Sequence, residues 1–200
     1  TTHTHPTPPP RPARLTLSAR LSGWAVEERV REWAESSARH NIIVLWPEAL
    51  DHTWDFISTR GGARADIDFL GHSINAVRRK FSVDDNRIGI AGISDGGSMA
   101  LSLATQNPAV FQAAMSSSAG FCVPPPPPPA DGSAPRLFLQ HGDQDAMFPL
   151  QQVGVRNKEE LSRAGYDVVF EVAEGQGHVP EGWGETFLSA WLAMADNAAL

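Results

Sequence analysis

Asn86-Arg87-Ile88-Gly89-Ile90-Ala91-Gly92-Ile93-Ser94-Asp95-Gly96-Gly97 is the stretch on which the reading of this chain turns. Arg87–Ile93 is a short apolar run of strand length, and Met99, Leu101 and Leu103 follow it in a segment rich in small residues that reads as a helix. A strand that bends sharply into a helix is the context in which a G-x-S-x-G pattern carries information. Glycines two residues before and after Ser94 leave room for the backbone to fold tightly around it. The helix start would direct backbone N–H groups and the positive end of the helix dipole toward the serine oxygen. The bland alternative is a Gly-rich turn; the strand before it and the helix after it favour an exposed nucleophile.

The same alternation of strand and helix extends outward from this stretch. Asn41–Trp46, Ala113–Ser118, Arg136–His141 and Asp167–Ala173 are further short apolar runs that read as buried strands. Between them lie helical patterns: Val26, Val30 and Trp33; Ile67, Leu70, Ile74 and Val77; a polar helix over residues 152–163; and a final helix from Trp183 to about Met194 carrying Phe187, Leu188, Trp191 and Leu192. Alternating strands and helices of these lengths predict a mainly parallel sheet with helices on both faces. In such sheets function gathers at the carboxyl ends of the strands.

Two hundred residues suit one domain with a real core. A net charge of -7 with dispersed Lys and Arg argues against a nucleic-acid or anionic-membrane surface. No stretch reaches the length of a membrane-spanning helix, and Thr1–Pro10 has no apolar core of the signal-peptide kind. A cytoplasmic protein is the resulting expectation. The single cysteine, Cys122, has no partner for a disulfide or a thiolate metal site and reads as a small apolar side chain. The first twelve residues, built from Thr, His and Pro, read as a disordered tail, and His3 and His5 lack a third metal ligand nearby. Pro124–Pro129 reads as a polyproline II spacer in a surface loop, in preference to a ligand for an SH3-like partner.

A serine hydroxyl is a weak nucleophile until a base takes its proton, and the base needs an acid to fix its tautomer. The chain supplies both after Ser94. Asp145 closes His141-Gly142-Asp143-Gln144-Asp145, just beyond the strand at 136–141, and His178 closes Gly175-Gln176-Gly177-His178, just beyond the next strand. Taken separately, each would be a bland loop residue. Together they are three suitable residue types at three strand ends, in the order Ser, Asp, His.

From Trp46 to about Met194, about three quarters of the chain resembles the phospholipase/carboxylesterase family of α/β-hydrolases, which also includes acyl-protein thioesterases and small bacterial esterases. The residues that carry the likeness are Asn86–Gly97, His141–Pro149 and Gly177-His178, with Thr53-Trp54-Asp55 and Arg163–Asp167 adding to it. The resemblance implies an α/β-hydrolase domain over residues 15–197 after a tail at 1–14, with a polyproline loop at 123–135. It also implies cleavage of a small-molecule ester or thioester through an acyl-enzyme, with no cofactor or metal. In the family's H-G-x-x-D pattern the acid is the last residue, which selects Asp145 over Asp143.

The chain departs from the family before Ser94, where the usual N-terminal strand ending in an H-G-x-G loop is missing. That loop supplies half of the oxyanion hole. Leu15–Ala19 reads as a remnant strand, and Ser22-Gly23 is the glycine-bearing turn that follows it. The other donor, the backbone N–H of Asp95, is expected in place. The chain thus reads as a truncated member of the family or as a gene model lacking its first segment, with weakened activity. A hydrolase-fold pseudoenzyme that binds a ligand or partner is the alternative. Trp54, Phe56, Phe121, Met147 and Phe148 flank strand ends and are candidates for a substrate pocket, although such residues are more often core.

Overall fold

The computed structural model describes residues 13–19, 35, 37–121 and 124–196. The expected helix at Val26–Trp33, the turn at Ser22-Gly23, His3, His5 and Cys122 lie outside the described residues. Six strands are described: β1 (Ala13–Ala19), β2 (Ile42–Leu45), β3 (Val83–Ile93), β4 (Ala113–Ser117), β5 (Arg136–Gly142) and β6 (Val168–Ala173). They form one sheet in the order β2-β1-β3-β4-β5-β6, and every neighbouring pair is parallel. The helices are α1 (Asp55–Ser58), α2 (Ala65–Lys80), α3 (Asp95–Gln106), α4 (Arg156–Ala164) and α5 (Trp183–Asp196). Helix α4 continues directly from a π-helical turn at Gln151–Val155, where an uninterrupted helix was expected.

Side chains of the central strands alternate between two cores, as a strand's two-residue period requires. Ile88 and Ile90 of β3, Ala114 of β4 and Leu137 and Leu139 of β5 join Leu70, Ile74, Met99, Leu103 and Leu161 on one face. Ala91 and Ile93 of β3, Ala113 and Met115 of β4 and Phe138 of β5 join Trp183, Phe187, Leu188 and Trp191 on the other. Helices α2, α3 and α4 therefore cover one face and α5 covers the opposite one. Both faces are buried, which is why the strands read as near-continuous apolar runs.

Strand β1 covers the strand expected at Leu15–Ala19, and it is an interior strand of the sheet. Leu15 pairs with Ile43 of β2 on one side and with Ile88 of β3 on the other. The sheet edge on this side is β2, and no strand precedes β1 among the described residues.

Two local devices position the loops around the site. The carboxylate of Asp66, at the start of α2, accepts the backbone N–H groups of Leu50 and Asp55, while the carboxylate of Asp55 accepts those of Ala65 and Asp66. This reciprocal capping of α1 and α2 stitches the β2–α2 connection together. The polyproline run is held against its own domain: the Tyr166 hydroxyl donates to Pro126 O at 2.9 Å. Pro124 and Pro127 face solvent, the three-residue spacing of a polyproline II helix.

Trp191 anchors α5, its ring lying about 3.2 Å from where a side chain on Gly89 of β3 would begin. Trp191→Ala should cost about 3–5 kcal/mol in urea unfolding through loss of buried surface and the cavity left behind. Trp191→Phe should cost a small fraction of that, because the indole N–H is buried with no hydrogen-bond partner among the described residues. Equal costs for the two changes would show that the indole N–H, and not packing, fixes the helix.

Candidate active site

Ser94 stands between the end of β3 and the start of α3 with φ 53° and ψ −123°, outside the comfortable regions for a residue with a side chain. The backbone is held there from both sides: Ser94 N–H donates to Ser117 O of β4 at 2.9 Å, and Ser98 N–H donates to Ser94 O at 2.9 Å. Gly92 shows why the pattern needs its first glycine. A Cβ at that position would fall 2.2 Å from Gly96 C and O, so any side chain would force the turn open.

The expected partners converge on this serine. Ser94 Oγ–H donates to His178 Nε2 at 2.9 Å, and His178 Nδ1–H donates to Asp145 Oδ2 at 2.8 Å. The protons can be assigned from the partners: a carboxylate only accepts, so Nδ1 carries the hydrogen and leaves Nε2 free to accept from the serine. Asp145 is buried, and its other oxygen accepts the backbone N–H groups of Met147 at 2.9 Å and Phe148 at 2.8 Å. Asp143 faces elsewhere. Its Oδ1 accepts Gly175 N–H at 2.7 Å and fixes the turn that leads to His178. Gly142 allows the two loops to meet, since a Cβ there would fall 2.2 Å from Gly177 O.

The family model described as "Putative esterase" matches residues 10–196. The chain belongs to this esterase family. No curated protein sequence matches. Among solved structures, the esterase resembles the S-formylglutathione hydrolase FrmB of Staphylococcus aureus at 20% identity and TM-score 0.68, over 92% of this chain and 82% of that one. It also resembles a ferulic acid esterase at 17% identity and TM-score 0.71, over 93% and 85%. A thermostable esterase matches at 17% identity and TM-score 0.70 over 93% of this chain, which spans 55% of that longer chain. These likenesses carry the fold, an α/β-hydrolase, and family membership points to ester hydrolysis as the class of reaction.

The remaining candidate residues of the esterase are placed unevenly. Asp95 is the first residue of α3, so its backbone N–H has no intrahelical acceptor. Its carboxylate is engaged by Thr53, whose hydroxyl donates to Oδ2 at 2.6 Å and ties the β2–α1 loop to the serine turn. Beyond the Thr53-Trp54-Asp55 likeness, no local pattern signals that bond. Trp54 and Phe56 are buried within the first core and offer no open wall to a bound molecule. Phe121 lines a surface groove with Pro124, Pro125, Arg156, Glu160, Arg163 and Ala164, and none of Ser94, Asp145 and His178 borders it. Met147 is 65% exposed, whereas Phe148 packs its ring edge-on to His178 at 5.2 Å. For the second oxyanion donor the register gives one fact: Ala19, the last residue of β1, pairs with Gly92, two positions before Ser94. No helix among the described residues is long and apolar enough to cross a membrane.

Burial alone would raise the Asp145 pKa, but the Phe148 N–H, the His178 imidazole and the Met147 N–H together outweigh it and hold the carboxyl below the usual carboxylate range. A carboxyl whose folded pKa is depressed contributes stability that is present above its unfolded pKa, about 4, and is lost as pH falls through the lower folded value. Asp145→Asn should therefore unfold at lower urea than the wild type near neutral pH, with the gap closing below about pH 3. A gap independent of pH would show that the charge of Asp145 is not what the fold recognises.

Proposed function

We propose that the chain hydrolyses carboxylic esters or thioesters of small molecules through an acyl-enzyme on Ser94. The observation that carries this reading is the continuous hydrogen-bonded line from Ser94 Oγ through His178 to Asp145. Ser94 Oγ attacks the acyl carbon while its proton passes to His178 Nε2. The departing alcohol or thiol leaves with that proton. Water then attacks the acyl-enzyme, giving a proton to the same nitrogen, and the free acid departs as Ser94 recovers its hydrogen. Asp145 stabilises the imidazolium in both halves and holds the ring in the tautomer that can accept. Neither half calls for a metal or an organic cofactor.

Asp95 N–H supplies one donor to the developing oxyanion. No H-G-x-G loop precedes Ser94 to supply the second donor. We take turnover to be reduced relative to a complete hole by about 100- to 1,000-fold, the cost of one lost donor.

A fluorophosphonate probe should label the wild-type chain and leave Ser94→Ala unlabelled. Hydrolysis of p-nitrophenyl esters should be slow but wholly dependent on Ser94, with Asp145→Asn lowering it by about 10⁴-fold and Asp143→Asn far less. An unlabelled wild type would favour a hydrolase fold that binds a ligand or a partner without turning it over. A larger loss for Asp143 would transfer the acid to that residue. Fast turnover by the wild type would place a working second donor in the segment that follows Ala19.

A further inference from the structure

We infer that His141 is a positioning residue for the Ser94–His178–Asp145 line, acting through the peptide group of Phe148. The inference rests on the function proposed above. His141 lies near the end of β5, and its side chain is 2% exposed. Its Nε2 lies 2.7 Å from Phe148 O. A carbonyl can only accept, so Nε2 carries the hydrogen and points it at Phe148. The same nitrogen lies 3.3 Å from Asp145 Oδ2, the oxygen that accepts from His178.

Phe148 is the piece through which this contact acts. Its carbonyl is held by His141, its N–H donates to Asp145 Oδ1 at 2.8 Å, and its ring makes a T-shaped contact with the His178 ring. A rotation of this one residue would disturb the acid and the base together. Through its bond to the Phe148 carbonyl, His141 therefore fixes the residue that donates to Asp145 and packs against His178. The π-helical turn completes the arrangement. A Cβ on Gly154 would lie 2.8 Å from both Cγ and Nδ1 of His141, so glycine at that position lets the turn close over the imidazole and hold its ring plane. A buried histidine with one backbone partner would ordinarily be a core residue. Here its single donor hydrogen is spent on the loop that carries the acid.

The inference is tested on the full chain with His141→Gln, His141→Asn and Gly154→Ala. Each is read by kcat and KM on a p-nitrophenyl ester, by the rate of fluorophosphonate labelling of Ser94, and by the urea midpoint. Both replacement amides are polar, but the Gln amide nitrogen reaches the place of Nε2 and the Asn nitrogen stops short. His141→Asn should lower kcat and the labelling rate by about tenfold or more with KM within about twofold, as expected when a bond orienting an active group is lost. His141→Gln should recover to within about threefold of the wild type. Gly154→Ala, which pushes on the ring without changing its chemistry, should lower kcat in the same KM-neutral way and serves where His141→Asn does not fold. Indistinguishable Asn and Gln variants, an unchanged kcat in a folded Asn or Gly154→Ala variant, or a loss confined to KM would overturn the positioning role while leaving the triad reading intact. A wild-type chain that is not labelled at Ser94 removes the triad reading itself, and this role with it.

Discussion

Everything at the site depends on a backbone that bends at Ser94 through a conformation a serine does not adopt by preference. The strain is of the order of 1–3 kcal/mol for a residue held at positive φ, and it persists because the surroundings over-determine it. Strand β3 runs into the turn with both faces buried, α3 begins at once, and the Ser94 N–H is claimed by the neighbouring strand. The close approach of Gly92 to Gly96 means that relaxation of the turn would require β3 and α3 to separate. The sheet therefore fixes where the hydroxyl stands, and the partners need only be brought to it.

Asp145 imposes the second constraint. A buried carboxylate is costly unless its lone pairs are matched. The loop from Gly142 to Phe148 is organised around that requirement. Two backbone N–H groups serve one oxygen and the His178 N–H serves the other, with the His141 N–H nearby. The carboxylate is thus matched on both oxygens by donors that the loop itself and the strand end beside it supply.

Much of this was legible because the relevant signals are local. The change from a two-residue to a helical period around Ser94, and an Asp and a His each just past an apolar run, follow from the order of residues alone. What was not legible depends on partners distant in sequence. Leu15–Ala19 looks like a remnant beside a Pro-rich segment, and nothing local says that it pairs on both sides; strand order is decided by the whole sheet. Trp54 beside a strand end reads as core more readily than as pocket, and it is fully buried within the first core. The five-residue π-helical turn has no periodicity that separates it from the α-helix it joins. The bond from His141 to Phe148 depends on where a ring points, which spacing does not encode.

The two aspartates of His141–Asp145 show how one short loop serves a single histidine in two ways. They are two residues apart, and the sequence alone makes them competitors for one task. In the fold they divide it. Asp145 turns inward and meets the imidazole, while Asp143 receives the Gly175 N–H and holds the backbone turn that delivers the imidazole. Gln144, between them, donates its backbone N–H to Gln176 O at 2.9 Å, and Gly142 has no side chain to keep Gly177 away. Gly142 at the end of β5 and the three residues after it thus each meet a different one of the four residues Gly175–His178 beyond β6. His178 is held in a clamp between adjacent strand ends, separate from the bend that holds Ser94. The hydrogen bond between Ser94 Oγ and His178 Nε2 joins that clamp to the bend.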